Sequence, residues 1–209
     1  MEYSSDYFNW QKNIGAFGGH ANLFKVKDFI TKDDKVIDFG CGGGYLLANI
    51  ICKEKIGVEI NDVARNQAAV NGIPTVKYSS EIPDGWADVI ISNHALEHVE
   101  NPLQELKTLF LKIRTGGKIV FVLPHEVKNR YIPGDVNQHL YTWSPMNAGN
   151  LFTRAGFSVM RVETIKHAWP PYYPAVRKLC GEKLFDVICR IYAIIFSNEY
   201  QVRVIGVKK

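Results

Sequence analysis

The residues best able to do chemistry stand together in "NHALEHVENP", Asn93 to Pro102, where His94 is followed three residues later by Glu97 and then at once by His98. On a helix these three share one face, and two imidazoles with a carboxylate at that spacing can hold a divalent metal. A second constellation is "VIDFGCGGGYLL": an apolar β-type run ends in Asp38, and the chain then turns through Gly40, Gly42 and Gly44 into a helical pattern. Spaced glycines let the backbone pass close to a ligand. At the carboxyl end of a first strand, such a turn is where open α/β sheets bind nucleotide-like molecules. A dinucleotide fingerprint starting at Gly40 would require glycine where Tyr45 stands, and one starting at Gly42 would require it at Leu47, so NAD is disfavoured.

The elements that must position these groups alternate along the chain. Candidate strands are Lys35 to Phe39, Lys55 to Ile60, Thr75 to Tyr78, Asp88 to Ser92, Lys118 to Leu123, Phe157 to Glu163 and Gln201 to Val207; candidate helices are Leu46 to Ile51, Asp62 to Asn71, Pro102 to Arg114 and Pro145 to Ala155. The alternation predicts an α/β fold with a mainly parallel sheet covered on both faces. Asn101-Pro102 and Ser144-Pro145 each set a capping side chain before a first-turn proline, and Gly116 and Gly156 follow the helix ends. A chain of 209 residues with 46% hydrophobic content suffices for one domain. Its expected parts are an N-terminal cap over 1–33, a ligand-binding core over 34–165, an insertion or lid over 166–200 and a last strand over 201–209.

Charge and cysteine usage narrow the surroundings. A formal net charge of +4 is spread among interleaved acids and bases, which makes nucleic acid an unfavoured partner. Cys41, Cys52, Cys180 and Cys189 show no C-x-x-C spacing and "MEYSSDYFNW" is not a secretory opening, so a reducing cytoplasm is expected. The apolar run Leu184 to Phe196 is too short to span a bilayer and carries Asp186 and Arg190; it reads as a buried or lid helix.

Asp38-Phe39-Gly40-Cys41-Gly42-Gly43-Gly44 resembles the D-x-G-x-G-x-G pattern of class I S-adenosylmethionine-dependent methyltransferases, and the likeness runs in order from about Asn22 to Val162. The resemblance implies a Rossmann-like fold with a seven-stranded, mostly parallel sheet, helices on both faces and an antiparallel last strand. It also implies S-adenosylmethionine as cofactor, held by Asp38, Gly40, Cys41, Gly42, Gly44 and Asn93, with Glu59 on the ribose hydroxyls and Ile60 at the adenine. After the third strand the family often places an acid against adenine, whereas this chain offers Tyr78, Ser79 and Ser80.

"NHALEHV" resembles the E-x-x-E-H segment of small-RNA 2′-O-methyltransferases and ubiquinone-pathway O-methyltransferases. "HLYTWS", His139 to Ser144, is similar to the later segment that supplies another histidine in the small-RNA group. The implied metal set is His94, Glu97, His98 and His139, with manganese, iron or zinc favoured over magnesium by the added imidazole. Without metal, His98 or His139 is the candidate base, and His94 stands beside them. His125 is a weaker candidate, and His20 and His167 carry no assignment. Gly18, Gly19 and Asn22 are expected near the methionine end, and Tyr131, Tyr141, Trp143 and Trp169 near the acceptor.

The expected activity is O-methylation of a small hydroxyl-bearing substrate, first a nucleotide-linked sugar of the kind used in surface-glycan biosynthesis. The alternative is metal-dependent 2′-O-methylation of RNA ribose. A zinc metalloprotease is the remote reading, since it requires H-x-x-E-H within one continuous helix, whereas here the motif ends a β-type run and meets Asn101-Pro102.

Overall fold

The strand pattern of the sequence places apolar side chains alternately on the two faces of a sheet, and the helices cover both. In the computed structural model, which describes residues 15–127, 131–135, 137–197 and 200–209, seven strands form the sheet. They are β1 (Lys35–Phe39), β2 (Glu54–Val58), β3 (Thr75–Val76), β4 (Ala87–Asn93), β5 (Ile113–His125), β6 (Ser158–Ile165) and β7 (Tyr200–Val207). Their spatial order is β3-β2-β1-β4-β5-β7-β6. The pairs from β3 to β5 are parallel, and β7 runs antiparallel to both β5 and β6. Five helices are labelled α1 (Tyr45–Ala48), α2 (Asp62–Val70), α3 (Pro102–Lys112), α4 (Pro145–Ala155) and α5 (Tyr173–Phe196).

Ile37, Phe39, Ile90, Phe121 and Leu123 pack on one side with Leu106 and Leu109 of α3 and Phe152 of α4, while Val36, Val89, Ile91 and Val120 pack on the other with Leu47 and Ala68. Each fully buried side chain of this size contributes about 1.5–3 kcal/mol relative to exposure. Helix starts follow local chemistry. Asn61 accepts from the Val63 and Ala64 backbone to begin α2, Asn101 accepts from Gln104 to begin α3, and Ser144 and Asn147 form a capping box for α4. Gly156, at φ 114°, ends α4.

Several boundaries differ from the sequence expectation. The helix after the glycine turn is one turn long, and β2 ends at Val58, leaving Glu59 and Ile60 in the loop beyond it. β3 is two residues rather than four. α3 stops at Lys112 and β5 begins at once, so Gly116 lies inside a strand, where its N–H donates to the Lys208 carbonyl at 2.7 Å. Long-range pairing with β7 thus overrides the local turn signal of Gly116-Gly117. The 166–200 stretch contains α5, which starts at Tyr173 rather than Leu184 and kinks at Gly181 (φ 73°). Among the described residues, no helix is long and apolar enough to cross a membrane.

Candidate active site

The sheet order reverses between β1 and β4: the chain proceeds from β1 outward to β3, then returns to the other side of β1. A crevice must open at the carboxyl ends of those two strands, the place where open α/β sheets take ligands. Two cavities of about 460 and 400 Å³ meet there, sharing Gly40, Gly42, His94 and His98 in their walls.

The glycine turn forms the junction. Gly40, Gly42 and Gly44 all have positive φ, at 72°, 53° and 75°, a region that disfavours any side chain. A Cβ on Gly40 would run into the Ala95 methyl, whereas a Cβ on Gly42 would meet nothing within 4 Å and would project into open space. Gly44 packs on Ile73 and Ala68 and lines neither cavity. The Gly42 N–H donates to Glu59 Oε2 and the Asn61 N–H to Glu59 Oε1, each at 2.9 Å, so Glu59 is pinned beside the turn. Asp38, Cys41 and Asn93 line the larger cavity; Glu59 and Ile60 line the smaller. Burial, reinforced by the neighbouring Glu59, pushes the Asp38 carboxyl up to about 8. Burial also raises Glu59, against the pull of its backbone donors and of Arg65.

The histidine motif does not form one helix. β4 holds its pairing through Asn93, the His94 N–H donates to the Val122 carbonyl at 2.9 Å, and His94 then turns left-handed at φ 58° before a single 3-10 turn, Leu96–His98. This corrects the shared helical face for His94 and removes the continuous helix that the protease reading requires. The ligand atoms of Glu97, His98 and His139 nevertheless lie within 4.8 Å of one another. His94 stands outside that group, with Nδ1 3.6 Å from Glu97 Oε1. His139 arrives from the loop before α4, which is tied to the site by Leu140 N–H donating to the Glu97 carbonyl and Trp143 N–H to the Pro124 carbonyl, each at 3.0 Å. Glu97 is fully buried and neither carboxyl oxygen has a hydrogen-bond partner among the described residues; burial pushes it up to about 8. Burial lowers His98 to about 4 and His94 to about 3, so both rings are neutral at physiological pH.

Gly18, Gly19 and Asn22 line the larger cavity, as do His125, His167 and Trp169. A Cβ on Gly19 would meet the Tyr45 carbonyl carbon at 2.5 Å, so glycine there lets helical residues 15–21 lie directly on the glycine turn. His20 lies outside both cavities, 3.2 Å from Glu182. Trp143 is buried, Tyr141 packs 5.6 Å from it, and Tyr131 is exposed and lines neither cavity. Residues 128–130 and 136, on either side of Tyr131, and residues 1–14 of the expected cap lie outside the described residues.

Two groups escaped the sequence reading. Glu126 Oε2 stands 3.1 Å from His139 Nδ1, close enough to pair with the ring in charge but not in the geometry of a hydrogen bond. Lys25, buried and lowered to about 7 by burial and by Arg203, donates to Asn93 Oδ1 at 3.1 Å. Neither carried a signal, since both contacts join distant parts of the chain.

A methyltransferase-domain family model matches residues 18–162. The chain belongs to that family. It is an S-adenosylmethionine-dependent methyltransferase with the Rossmann-like fold of its class. It is 34% identical over 100 residues to the ubiquinone biosynthesis O-methyltransferase of Vibrio parahaemolyticus, an alignment covering 42% of this chain and 42% of that protein, less than half of its length. To the Rickettsia bellii protein of the same name it is 27% identical over 161 residues, 66% of this chain and 67% of that one. Among solved structures, a Thermotoga maritima S-adenosylmethionine-dependent methyltransferase described as a possible histamine N-methyltransferase superposes with TM-score 0.66 at 17% identity, covering 99% of this chain and 96% of that one. A methyltransferase from Archaeoglobus fulgidus gives 0.63 at 20% identity, covering 90% of this chain and 92% of that one.

Proposed function

We propose that this methyltransferase transfers a methyl group to a hydroxyl oxygen of a small acceptor, assisted by a divalent cation held by Glu97, His98 and His139. The observation that carries the cation is Glu97: a fully buried carboxyl with both oxygens lacking hydrogen-bond partners among the described residues, next to His98 and His139. A buried carboxyl without partners is costly unless a proton or a metal joins it. The mixed nitrogen and oxygen donors suit manganese, iron or zinc better than magnesium. When bound, such a cation supplies Lewis acidity that lowers the pKa of an adjacent hydroxyl. In this reading Asp38, Gly40, Cys41, Gly42 and Asn93 hold the methionine end of the cofactor. Glu59 takes the ribose, Ile60 covers the base, and Gly44 shapes the turn. Attack by the hydroxyl oxygen forms the new C–O bond as the C–S bond breaks, and S-adenosylhomocysteine leaves. The proton passes to an imidazole at the same edge: His94 with metal present, His98 or His139 without it.

A nucleotide-linked sugar remains the first acceptor. The larger cavity offers the amides of Asn22, Asn137 and Gln201 beside the rings of Trp169 and Tyr200, a mixture suited to hydroxyls and sugar faces. A phenolic hydroxyl is the second reading, favoured by the name shared by the curated relatives. The test is transfer of labelled methyl from S-adenosylmethionine to nucleotide-linked sugars, catechol-type phenols and short RNAs, with manganese added or with chelator. Metal-dependent product on the sugar panel is expected. Product only on phenols would move the acceptor to the second reading, product only on RNA to ribose methylation, and turnover untouched by chelator would remove the cation.

A further inference from the structure

Beyond β3 the chain presents Tyr78, Ser79 and Ser80, and the Glu81 carboxylate turns back to accept from the Tyr78 N–H, while a carboxylate from another element reaches the smaller cavity. That cavity runs from the glycine turn, with Glu59 and Ile60, to Lys77, Tyr78 and Ser79 beyond β3, and Glu105 of α3 completes the wall. The cavity is also lined by His94, His98 and Glu100 besides Lys77 and Tyr78; of the groups at the glycine turn, Glu59 is engaged by the Gly42 and Asn61 backbone, and Asn61 caps α2. Ser79 is buried, and its hydroxyl donates to Glu105 Oε1 at 2.5 Å, which fixes the carboxylate against the turn Ser79–Glu81.

We propose that Glu105 selects the cofactor's base by accepting a hydrogen bond from the exocyclic amine of adenine, with Ser79 as its positioning residue. This rests on the cofactor placement given above, with the ribose at Glu59 and the base extending toward Tyr78. An exocyclic amine presents N–H groups that a carboxylate accepts. A 6-oxo purine presents lone pairs there instead, which a carboxylate repels. A site built to pair one donor rejects the analogue lacking it, because its own polar group is left unpaired. The selectivity thus comes from α3, four residues into a helix that the sequence marks only by its Asn101-Pro102 start.

The test is calorimetric titration of S-adenosylhomocysteine and of S-inosylhomocysteine, its 6-oxo counterpart, into the wild type, Glu105→Gln and Glu105→Ala. The wild type should prefer the adenine form by about 10- to 100-fold, the range of one charge-assisted hydrogen bond. Glu105→Gln, whose amide can donate to a 6-oxo group, should bring that ratio to within about threefold or invert it, and Glu105→Ala should flatten it. Thermal melts run in parallel confirm that the variants are folded. An unchanged ratio in folded variants would overturn the role of Glu105 while leaving the cofactor placement standing. A folded wild type that binds neither ligand would overturn that placement and this inference with it.

Discussion

Replacing Gly42 separates the cost to the fold from the cost to the ligand. Its φ of 53° is left-handed, but an added Cβ meets no atom of the described residues within 4 Å. The fold therefore bears only the backbone term, about 1–2 kcal/mol for an alanine. At this chain length that corresponds to a melting shift of roughly 2–4 °C per kcal/mol, small beside an ordinary stability of about 5–15 kcal/mol. The new methyl stands at the junction of the two cavities, which the cofactor crosses in the proposed placement. Gly42→Ala should weaken S-adenosylhomocysteine by at least about tenfold, and Gly42→Val should abolish detectable binding, at the cost of a larger backbone strain for a β-branched residue. Gly40→Ala is the contrast. Its Cβ would collide with the Ala95 methyl, so it should lower the melting temperature more than Gly42→Ala does. Calorimetry and thermal melts on the same preparations read both terms. Wild-type affinity in a folded Gly42→Val protein would refute the placement of the cofactor over this turn.

Glu59→Gln removes one of the two oxygens that receive the Gly42 and Asn61 N–H groups, and with it the charge that the proposed placement sets against the ribose; S-adenosylhomocysteine should bind about 10- to 100-fold more weakly, and unchanged affinity would move the ribose contact elsewhere. Asp38 rises to about 8 in the folded protein, above its ordinary value of about 3.9. The folded state therefore retains a proton that the unfolded chain has lost: the group's stabilisation is complete below the unfolded value and is lost as pH rises through about 8. In cofactor-free protein, Asp38→Asn should gain on the wild type in melting temperature as pH rises from about 5 to 8; parallel melting curves would contradict this. Gly19→Ala, whose methyl would press on the Tyr45 backbone, should lift helical residues 15–21 from the glycine turn and weaken cofactor binding several-fold in the same titration, and identical affinity would detach that segment from the site.

Much of this arrangement was legible because its signals are local. β1 keeps the expected bounds Lys35–Phe39, and α4 keeps Pro145–Ala155, since an alternating apolar run and a Ser-Pro start with a glycine stop each decide their own segment. The three glycines with positive φ were likewise readable from their spacing after a buried strand. What failed depends on distant partners. His94 leaves the predicted helical face because β4 is held through Asn93 by β5, and Gly116 sits in a strand because β7 and Lys208 capture it. Of α5, the stretch Leu184 to Phe196 was legible as a helix, whereas the start at Tyr173 was not, because Pro170 and Pro171 precede it and Gly181, at φ 73°, breaks the pattern between the two halves. Glu105, Glu126 and Lys25 carry no local signal: Glu105 and Glu126 reach the cavity walls, and Lys25 reaches Asn93, only through contacts between distant segments.

The decisive measurement is the metal content of purified protein, wild type beside His98→Ala, after incubation with manganese, iron, zinc and magnesium and removal of free ions, with S-adenosylhomocysteine titrated into both. About one transition-metal ion per chain in the wild type, lost in the variant while cofactor affinity is retained, is the expected result. No bound ion in either protein would leave Glu97 protonated rather than coordinating and return "NHALEHV" to metal-free chemistry with histidine as base.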